Sequence, residues 1–219
     1  MSLLLNVPFS EKDIVKALGA NWNPDFKKWF VTDKKNYYKF TKWFNSSDTD
    51  LIICNYLYIV ESKQDCFRCQ HPTTVVSLAA DTYVLIGDNR SELFEGEMHL
   101  IHDIFYLPYT LEQYLKEKYN YYFGYSKTTH LNYYGNHCNN CDVLQGDYYL
   151  YSEPDSPFFF DSIEKIQQVK ISKIKLKHDL ELKGAVGWGS EDYLLRDNVT
   201  VKNLDLNLYE KESITQLER

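Results

Sequence analysis

Two Cys-x-x-Cys pairs are the residues of this sequence best suited to a defined chemistry. Cys66 and Cys69 form the first pair, Cys138 and Cys141 form the second, and 68 residues separate the two pairs. Four thiolates at this spacing suit one tetrahedral zinc ion, because two cysteines in one tight turn can reach the same metal. A redox pair and a disulfide are the alternatives, although a redox motif is normally single and opens a helix. The sequence predicts one structural Zn²⁺ per chain, with no coordination position left for water.

A second group of residues with acid–base potential lies between the two pairs. His99 and His102 are three residues apart, and three glutamates precede them, at positions 92, 95 and 97. On a helix the two histidines would share a face and could bind a metal or act as a base and its orienting group. On a strand they would point to opposite sides. The chain contains no H-E-x-x-H motif, nucleophile elbow, phosphate loop or dinucleotide fingerprint. We therefore expect a non-enzymatic protein, with a metal-dependent hydrolase or nuclease around His99 and His102 as the alternative.

Three other potential metal ligands are assigned different roles. His71 and His137 each adjoin a cysteine pair, and with four cysteines available we expect them to hydrogen-bond to a sulfur or to lie on the surface. Cys54 stands in an apolar run and is expected to be a buried, inert thiol. The N-terminus lacks the features of a signal peptide, and no apolar run approaches the length of a membrane span. A reducing, cytoplasmic location without membrane contact is expected, which favours metal binding over disulfides.

Charge is distributed unevenly along the chain. The whole chain carries a net charge of −7, but residues 1–45 contain eight lysines and four acids, so they carry +4 and the rest carries −11. Such a split predicts two parts with different partners, nucleic acid for the basic part and a protein for the acidic part. Trp29 and Trp43 lie among the lysines, a combination that can stack bases and neutralise phosphates, although Trp22 and Trp29 are favoured as core residues. The candidate nucleic-acid-binding residues are Lys27, Lys28, Lys34, Lys35, Lys39 and Lys42.

The elements expected in the first 45 residues follow from apolar periodicity and breakers. They are a strand over 3–7, a helix over 11–18, a second strand over 28–31 and a second helix from Thr32 or Asp33 to Phe44. Ser10 is the expected N-cap of the first helix, with Phe9 packed against Ile14. That helix is expected to bury its apolar side, and the second helix to bury Tyr37, Phe40 and Phe44. The predicted order is β-α-β-α.

These 45 residues resemble a small bacterial module of unknown function. The resemblance rests on Leu5-Asn6-Val7-Pro8-Phe9, Glu11-Lys12-Asp13, Ala17-Leu18-Gly19-Ala20, Trp22 and Lys28-Trp29-Phe30-Val31. The module recurs at the ends of plasmid-borne DNA primases, antirestriction-type proteins and other mobile-element proteins, and it implies DNA-related work. A proline often follows its second strand, where this chain has Thr32-Asp33. Residues 133–151 are also similar to stretches of uncharacterised bacterial proteins that combine this module with two Cys-x-x-Cys pairs.

The polar segment 45–50 predicts a boundary between the module and a second domain over 46–219. Strands on both sides of the first cysteine pair are typical of a zinc ribbon. Residues 91–125 are expected to form an insertion that contains a helix over 111–119, capped by Thr110 and Gln113. A strand over 148–151, a short helix over 161–169, a strand over 171–182 and a turn over 184–189 complete the prediction. The fold class is therefore α+β, a small module followed by a larger, mostly β, zinc-ribbon-like domain with a helical insertion.

Overall fold

A computed structural model describes residues 1–187 and 191–208. The N-terminal module contains strands β1 (Leu3–Leu5), β2 (Asn21–Asn23) and β3 (Lys28–Val31), with helix α1 (Lys12–Ala17) between the first two. These strands form an antiparallel sheet in the order β1-β3-β2. The two strands and first helix that the sequence predicts are present, but β2 was not predicted, so the module is not a simple β-α-β-α unit.

Helix α1 begins and packs differently from the prediction. A 3₁₀ turn over Phe9–Glu11 precedes it, and no side chain caps its N-terminus, so the predicted cap at Ser10 is wrong. Phe9 is 82% exposed and Ile14 is 52% exposed, so these two side chains do not staple the helix start to the core. Val15 is the buried residue of α1. The helix is too short to bury a full amphipathic stripe, and Val15 alone of its six residues is buried.

The second predicted helix is a 3₁₀ helix over Lys34–Trp43. Its N-cap is Asp33, whose carboxylate accepts a hydrogen bond from the Lys35 N–H at 3.1 Å. Tyr37, Phe40 and Trp43 are buried, which is the three-residue spacing of a 3₁₀ helix. The prediction of burial at Tyr37, Phe40 and Phe44 is confirmed, but Trp43 was expected on the basic surface and lies in the core.

The larger sheet has ten strands in the described residues, β4 to β13. They are β4 (Leu51–Ile53), β5 (Tyr56–Asp65), β6 (Pro72–Gly87), β7 (Arg90–Tyr106), β8 (Tyr121–Tyr125), β9 (Asn132–His137), β10 (Leu144–Gln145), β11 (Lys170–Lys175), β12 (Leu180–Val186) and β13 (Val201–Leu204). Strand β4 pairs with β6, β6 with β7, β7 with β12 and β12 again with β4, all antiparallel. These four strands therefore close into a ring. Closure is possible because β6 and β7 are long and shift register between Ala80 and Thr82.

Residues 90–106 lie in strand β7 of this sheet, so most of the first half of the segment predicted as an insertion belongs to the main scaffold. Helix α2 (Tyr109–Tyr119) follows, where the sequence predicts a helix over 111–119, and it buries Leu111, Leu115 and Tyr119. The predicted capping box is wrong, because α2 begins at Tyr109 after Pro108 and no side chain caps it. Its C-terminal residue Asn120 adopts the left-handed conformation with φ 54°, a conformation that asparagine tolerates.

The C-terminal part of the described chain contains short helices and further strands of the larger sheet. The segment predicted as a strand over 148–151 is instead helix α3 (Tyr148–Tyr151), since its amides bond to carbonyls three and four residues back. The short helix predicted over 161–169 is present as α4 (Ile163–Ile166), and α5 covers Leu195–Asn198. The strand predicted over 171–182 divides into β11 and β12. Residues 184–186 of the predicted turn belong to β12, and residues 188–190 lie outside the described residues.

The module packs directly against the larger sheet. Leu3, Leu5, Val15, Tyr37 and Phe40 share one buried cluster with Ile52 and Cys54 around β4 and with Val84 of β6. Polar contacts reinforce this packing. The buried carboxylate of Glu181 accepts hydrogen bonds from Asn45, Ser46 and Thr49, while Asp179 accepts one from the Tyr37 hydroxyl at 2.5 Å. Cys54 is fully buried, as predicted. No helix of the described residues is long and apolar enough to cross a membrane.

Candidate metal centre

The first cysteine pair forms the turn between β5 and β6, which we call the first knuckle (Cys66–Cys69). The Cys66 N–H donates to the His71 carbonyl at 3.0 Å, and the Gln70 N–H donates to the Cys66 carbonyl at 2.9 Å. Gln70 has φ 57°, which turns the chain back into β6. The strand–knuckle–strand arrangement predicted from the sequence is confirmed here.

The second pair forms an equivalent turn between β9 and β10, the second knuckle (Cys138–Cys141). The Cys138 N–H donates to the Val143 carbonyl and the Asp142 N–H donates to the Cys138 carbonyl, both at 3.0 Å. Asp142 has φ 58°, the counterpart of Gln70. Asn120 at the end of α2 anchors this turn, because its amide nitrogen donates to the Cys138 carbonyl at 3.3 Å and to Asp142 Oδ1 at 3.1 Å.

A buried asparagine joins the two hairpins that carry the knuckles. Asn136, 1% exposed on β9, accepts a hydrogen bond from the Val76 N–H at 2.7 Å and donates one to the Val76 carbonyl at 2.9 Å. Its side chain thus pairs with β6 as another strand's backbone would. Asn136 stands two residues before Cys138, so this contact sets the distance between the two knuckles. Sequence reasoning missed this role, because a lone asparagine in an aromatic strand has no distinguishing pattern.

The four sulfurs meet at the spacing of a tetrahedral metal site. Cys66 Sγ lies 3.7 Å from Cys141 Sγ, Cys69 Sγ lies 3.6 Å from Cys138 Sγ, and all four ligand atoms lie within 4.8 Å of one another. A tetrahedron with metal–sulfur bonds of about 2.3 Å has edges of about 3.8 Å. A disulfide needs a bond of about 2.05 Å, and the five cysteines are free thiols. The close contacts also join the two knuckles with each other, so the arrangement fits a shared metal ion.

Hydrogen-bond donors surround the sulfurs. Thr73 Oγ1 and the Asn140 N–H each lie 3.4 Å from Cys138 Sγ, and Gln145 Nε2 lies 3.5 Å from Cys66 Sγ. Donors of this kind stabilise thiolates and orient them toward a metal. Cys66 and Cys138 are buried, whereas Cys69 and Cys141 are partly exposed. The centre therefore has a protected side and a side that faces solvent.

Without a cation the four thiols cannot all be ionised. Burial raises the pKa of Cys138, but hydrogen bonds from Thr73 and from the Cys141 and Asn140 N–H groups outweigh it and bring the pKa to about 5. A hydrogen bond from the backbone of Val143 lowers the pKa of Cys141, but burial and the neighbouring sulfurs outweigh it and bring the pKa to about 12. One thiol of the cluster thus ionises readily while another resists ionisation. A shared positive charge would allow both to be thiolates. The residues present therefore fit a metal ion.

A third turn repeats the knuckle backbone without cysteines. Between β8 and β9 the Ser126 N–H donates to the Leu131 carbonyl and the His130 N–H donates to the Ser126 carbonyl, both at 2.9 Å. His130 has φ 57°, and the Thr129 N–H donates to Ser126 Oγ at 3.2 Å, as the Cys141 N–H does to Cys138 Sγ. Counting cysteines could not reveal this turn, because Ser126 and Thr129 occupy the ligand positions.

The two histidines beside the knuckles do not belong to the cluster of potential ligands found among the described residues. His137 is buried and stacks on Tyr122 with ring centroids 3.7 Å apart, while its Nδ1 lies 3.0 Å from the Gly135 carbonyl. A β-carbon on Gly124 would lie 2.6 Å from His137 Nε2, so that glycine is needed for the ring to fit. The His71 side chain is exposed, whereas the His71 backbone N–H donates a hydrogen bond to the Cys69 sulfur and lowers the pKa of Cys69.

His99 and His102 do not form a common site. Both lie on strand β7, three residues apart, so they point to opposite sides of the sheet. His99 is buried, with Nδ1 3.2 Å from the Gly187 carbonyl and Nε2 3.7 Å from Glu97. His102 instead contacts Asp103, Nδ1 to Oδ2 at 2.9 Å. The paired-histidine site that the alternative enzyme hypothesis requires is therefore wrong.

The six candidate lysines differ in their surroundings. Lys34 lies 3.7 Å from Asp179, and Lys42 lies 2.6 Å from Glu11. Lys28 is partly buried and lines a cavity between the module and the larger sheet, together with Asp179 and Glu181. The candidates that remain exposed, with no ion pair to another described residue, are Lys27, Lys35 and Lys39.

The tryptophans of the module also divide into two groups. Trp43 is 4% exposed, and its Nε1 donates to Glu11 Oε2 at 2.5 Å. Trp29 packs partly against the core of the module, as expected. Trp22, in contrast, is 50% exposed and contacts Trp29 edge to face with ring centroids 5.8 Å apart. The expectation that Trp22 is a core residue is therefore wrong, because the unpredicted strand β2 places it at the sheet edge.

The fold and site together define a mixed α/β protein, mostly sheet, whose N-terminal module precedes a four-cysteine centre that could hold a metal ion. Residues 3–45 match the family described as Domain of unknown function (DUF5710), which confirms the resemblance of the module. DNA primase TraC of Escherichia coli is 47% identical over 45 residues, which are 20% of this chain and 4% of that protein. The chain thus covers only a small part of that relative's length. No solved structure matches the chain.

Proposed function

We propose that the protein is a non-enzymatic, zinc-binding protein of bacterial or phage mobile elements that acts with nucleic acid in the cytoplasm. The observation that carries the proposal is the tetrahedral spacing of the sulfurs of Cys66, Cys69, Cys138 and Cys141. Thiolate ligands in this geometry select Zn²⁺ over harder cations. Bound zinc supplies the positive charge that lets four thiolates coexist and ties two hairpins together. With four protein ligands the ion is structural and offers no position for a reacting water.

The nucleic-acid part of the proposal rests on the module. A primase carries a 47% identical segment, and Lys27, Lys35 and Lys39 are exposed. Trp22 is also exposed, and an aromatic ring beside lysines is the common means of binding single strands without sequence preference. Lys28, Lys34 and Lys42 belong to the proposed basic surface but contribute less, since two are ion-paired and Lys28 is partly buried. The acidic remainder of the chain is proposed to contact a protein partner.

The experiment compares two triple variants of the full-length protein by fluorescence anisotropy with a labelled single-stranded oligonucleotide at low salt. Changing Lys27, Lys35 and Lys39 to Glu is expected to abolish binding. The matched control changes the exposed Lys63, Lys118 and Lys202 to Glu, which alters the net charge equally and is expected to leave most of the binding. Wild-type affinity is expected to fall with salt, by roughly one logarithmic unit of slope per phosphate contact. Equal loss in both variants, or no binding by the wild type, contradicts the proposal.

A further inference from the structure

A large cleft opens beside the metal centre. It has a volume of about 980 Å³, against about 340 Å³ for the cavity next to the module. Strand β7, helix α3 and the turn between β8 and β9 form its walls, and Phe67 of the first knuckle reaches its rim. Its volume falls at the upper end of the range of small-molecule sites. The proposed function makes no use of this cleft.

Exposed aromatic side chains concentrate around the cleft. Phe67, Tyr125, Tyr148 and Tyr149 line it and are 59%, 52%, 62% and 56% exposed. Large apolar side chains scattered singly over a surface are ordinary, but a group that surrounds one cavity marks an interaction site. Aromatic ring faces are electron-rich, so they attract cations and flat apolar groups.

Three carboxyl groups belong to the polar part of the lining. Asp147 Oδ2 accepts a hydrogen bond from the Asp103 N–H at 3.1 Å, and Asp103 Oδ2 contacts His102 Nδ1 at 2.9 Å. Asp192 is 1% exposed and accepts a hydrogen bond from the Leu100 N–H at 2.8 Å. Lys127 also lines the cleft. The lining thus contains three carboxyl groups, Asp103, Asp147 and Asp192, against one lysine, and this excess of acidic groups favours a cation.

Asp147 is the carboxyl group of the cleft that could pair with a bound cation. The hydrogen bond to Asp103 raises the pKa of His102, and the same bond lowers the pKa of Asp103, so these two groups are partners of each other. Burial raises the pKa of Asp147 to about 7. Among the described residues Asp147 has no cationic partner within ion-pair distance. A positive group in the cleft would restore its charge and gain a charge-assisted hydrogen bond.

We propose that this cleft binds an organic cation, whose ammonium, amidinium or guanidinium group pairs with Asp147 and whose apolar part lies among Tyr148, Tyr149 and Phe67. Two sources share this chemistry: a free amine, and an arginine or lysine side chain of a peptide. The aromatic rim holds the apolar part in either case, and the carboxylate at the floor selects for positive charge.

Calorimetric titration of the full-length, zinc-loaded protein at pH 8 tests the proposal with three ligands of one shape. Benzamidine is cationic, benzamide is neutral and benzoate is anionic. Benzamidine is expected to bind at least tenfold more tightly than benzamide, and benzoate is expected not to bind. Asp147→Asn keeps an oxygen acceptor for the Asp103 N–H and is expected to weaken benzamidine binding at least tenfold. Asp155→Asn removes an exposed charge elsewhere and is expected to bind like the wild type.

The pH dependence of binding, compared between the wild type and Asp147→Asn, tests the role of Asp147. Between pH 8 and pH 6 the affinity for benzamidine is expected to fall up to about tenfold, because a carboxyl group with a pKa near 7 takes up a proton. His102, Asp103, Asp192 and Lys127 face the same cleft, and protonation of His102 would act in the same direction. The Asp147→Asn variant separates them, since its affinity is expected to change less with pH than that of the wild type.

A second variant and a second ligand pair complete the test. Tyr149→Ala removes an exposed ring, leaves the floor intact, and is expected to weaken benzamidine several-fold without loss of zinc. Agmatine and an arginine-containing hexapeptide distinguish the sources: tighter binding of the peptide identifies a peptide, and tighter binding of agmatine identifies a free amine. Benzamide binding as tightly as benzamidine, wild-type affinity in a folded Asp147→Asn variant, or displacement of benzamidine by a single-stranded oligonucleotide overturns the proposal.

Discussion

The surroundings of a cysteine in this protein determine whether it can bind a metal. Cys54 and Cys66 are both fully buried cysteines, yet only Cys66 meets other sulfurs. Burial raises the pKa of the Cys54 thiol, which keeps it neutral and unreactive. Residue type alone therefore does not decide which cysteine is a candidate metal ligand; a second cysteine three positions along the chain, in the same knuckle, does.

Replacement of Cys54 separates packing from metal binding. Cys54→Ser places a hydroxyl group in an apolar cluster and is expected to lower the free energy of unfolding by about 1–3 kcal/mol while the metal content stays unchanged. Cys66→Ser is expected to release the metal. Urea denaturation combined with elemental analysis of both variants measures the two effects, and loss of metal from Cys54→Ser would contradict the assignment.

Glu181 gives the stability of the protein a dependence on pH. Burial raises its pKa to about 7, against hydrogen bonds from Ser46, Asn45 and Thr49 that lower it. A pKa raised in the folded state means that the folded protein binds the proton more tightly than the unfolded chain. This contribution to stability is therefore full below about pH 4.5 and is lost as the pH rises through about 7.

The expected result is a free energy of unfolding that depends less on pH in Glu181→Gln than in the wild type between pH 5 and pH 8. The removed slope corresponds to at most one proton. Asp147 keeps part of the slope in the variant, because its pKa is raised in the same direction. Denaturation midpoints measured across this range provide the comparison, and superimposable pH profiles would show that Glu181 does not titrate with folding.

At the scale of elements, the metal centre depends on how two hairpins are joined. The knuckles lie far apart in sequence, and the Asn136 side chain links β9 to the backbone of Val76 on β6. The α2 helix then fixes the second knuckle through Asn120. Each knuckle forms from residues close together in sequence, whereas the distance between the two knuckles depends on contacts within the sheet.

Truncation of the linking side chain tests this dependence. Asn136→Ala leaves the N–H and carbonyl of Val76 buried without their partner, and each lost partner is expected to cost about 1–3 kcal/mol. We expect lower stability and weaker metal retention in a chelator competition. Asn203→Ala on the outer strand β13 is the control and is expected to resemble the wild type. Unchanged metal retention in a destabilised Asn136→Ala variant would mean that the knuckles position themselves independently.

Some elements of the fold could be predicted from the sequence, and others could not. The cysteine pairs, the strands around the first knuckle and the helix over 111–119 follow from local spacing, and the structure contains them. The strand predicted over 148–151 failed because a run of tyrosines suits either conformation, and tertiary packing selected helix α3. The exposure of Trp22 followed from strand β2, whose three residues give too short a pattern to recognise. The cleft joins β7 to Phe67 and to segments that lie between Tyr125 and Asp192, and no local sequence pattern predicts that they meet.

At the scale of the whole molecule, the module and the larger sheet share a core. The module is small, and domains of about 45 residues rarely bury enough apolar surface to be stable alone. Residues of β4 and β6 complete its buried cluster, and Asp179 joins Tyr37 and Lys34 of the module to the sheet. A boundary near residue 45 in the sequence therefore does not imply independent folding.

Metal removal is expected to unfold both parts together. Structural zinc contributes binding energy comparable to the stability of a whole domain, so a chelator should unfold the knuckle hairpins. Because the module completes its core on β4 and β6, its amides are expected to lose protection at the same chelator concentration. Hydrogen exchange with mass spectrometry follows peptides from both parts. Persistent protection of residues 1–45 after the hairpins exchange would show that the module is stable by itself.

X-ray absorption at the zinc edge, combined with elemental analysis of the purified protein, tests most directly whether the four cysteines bind zinc. We expect one zinc ion per chain, bound by four sulfur atoms at about 2.3 Å with no nitrogen or oxygen ligand. Cys66→Ser, Cys69→Ser, Cys138→Ser and Cys141→Ser should each lose the ion. A well-folded chain with no stoichiometric zinc, or with a disulfide between Cys66 and Cys69, would contradict it.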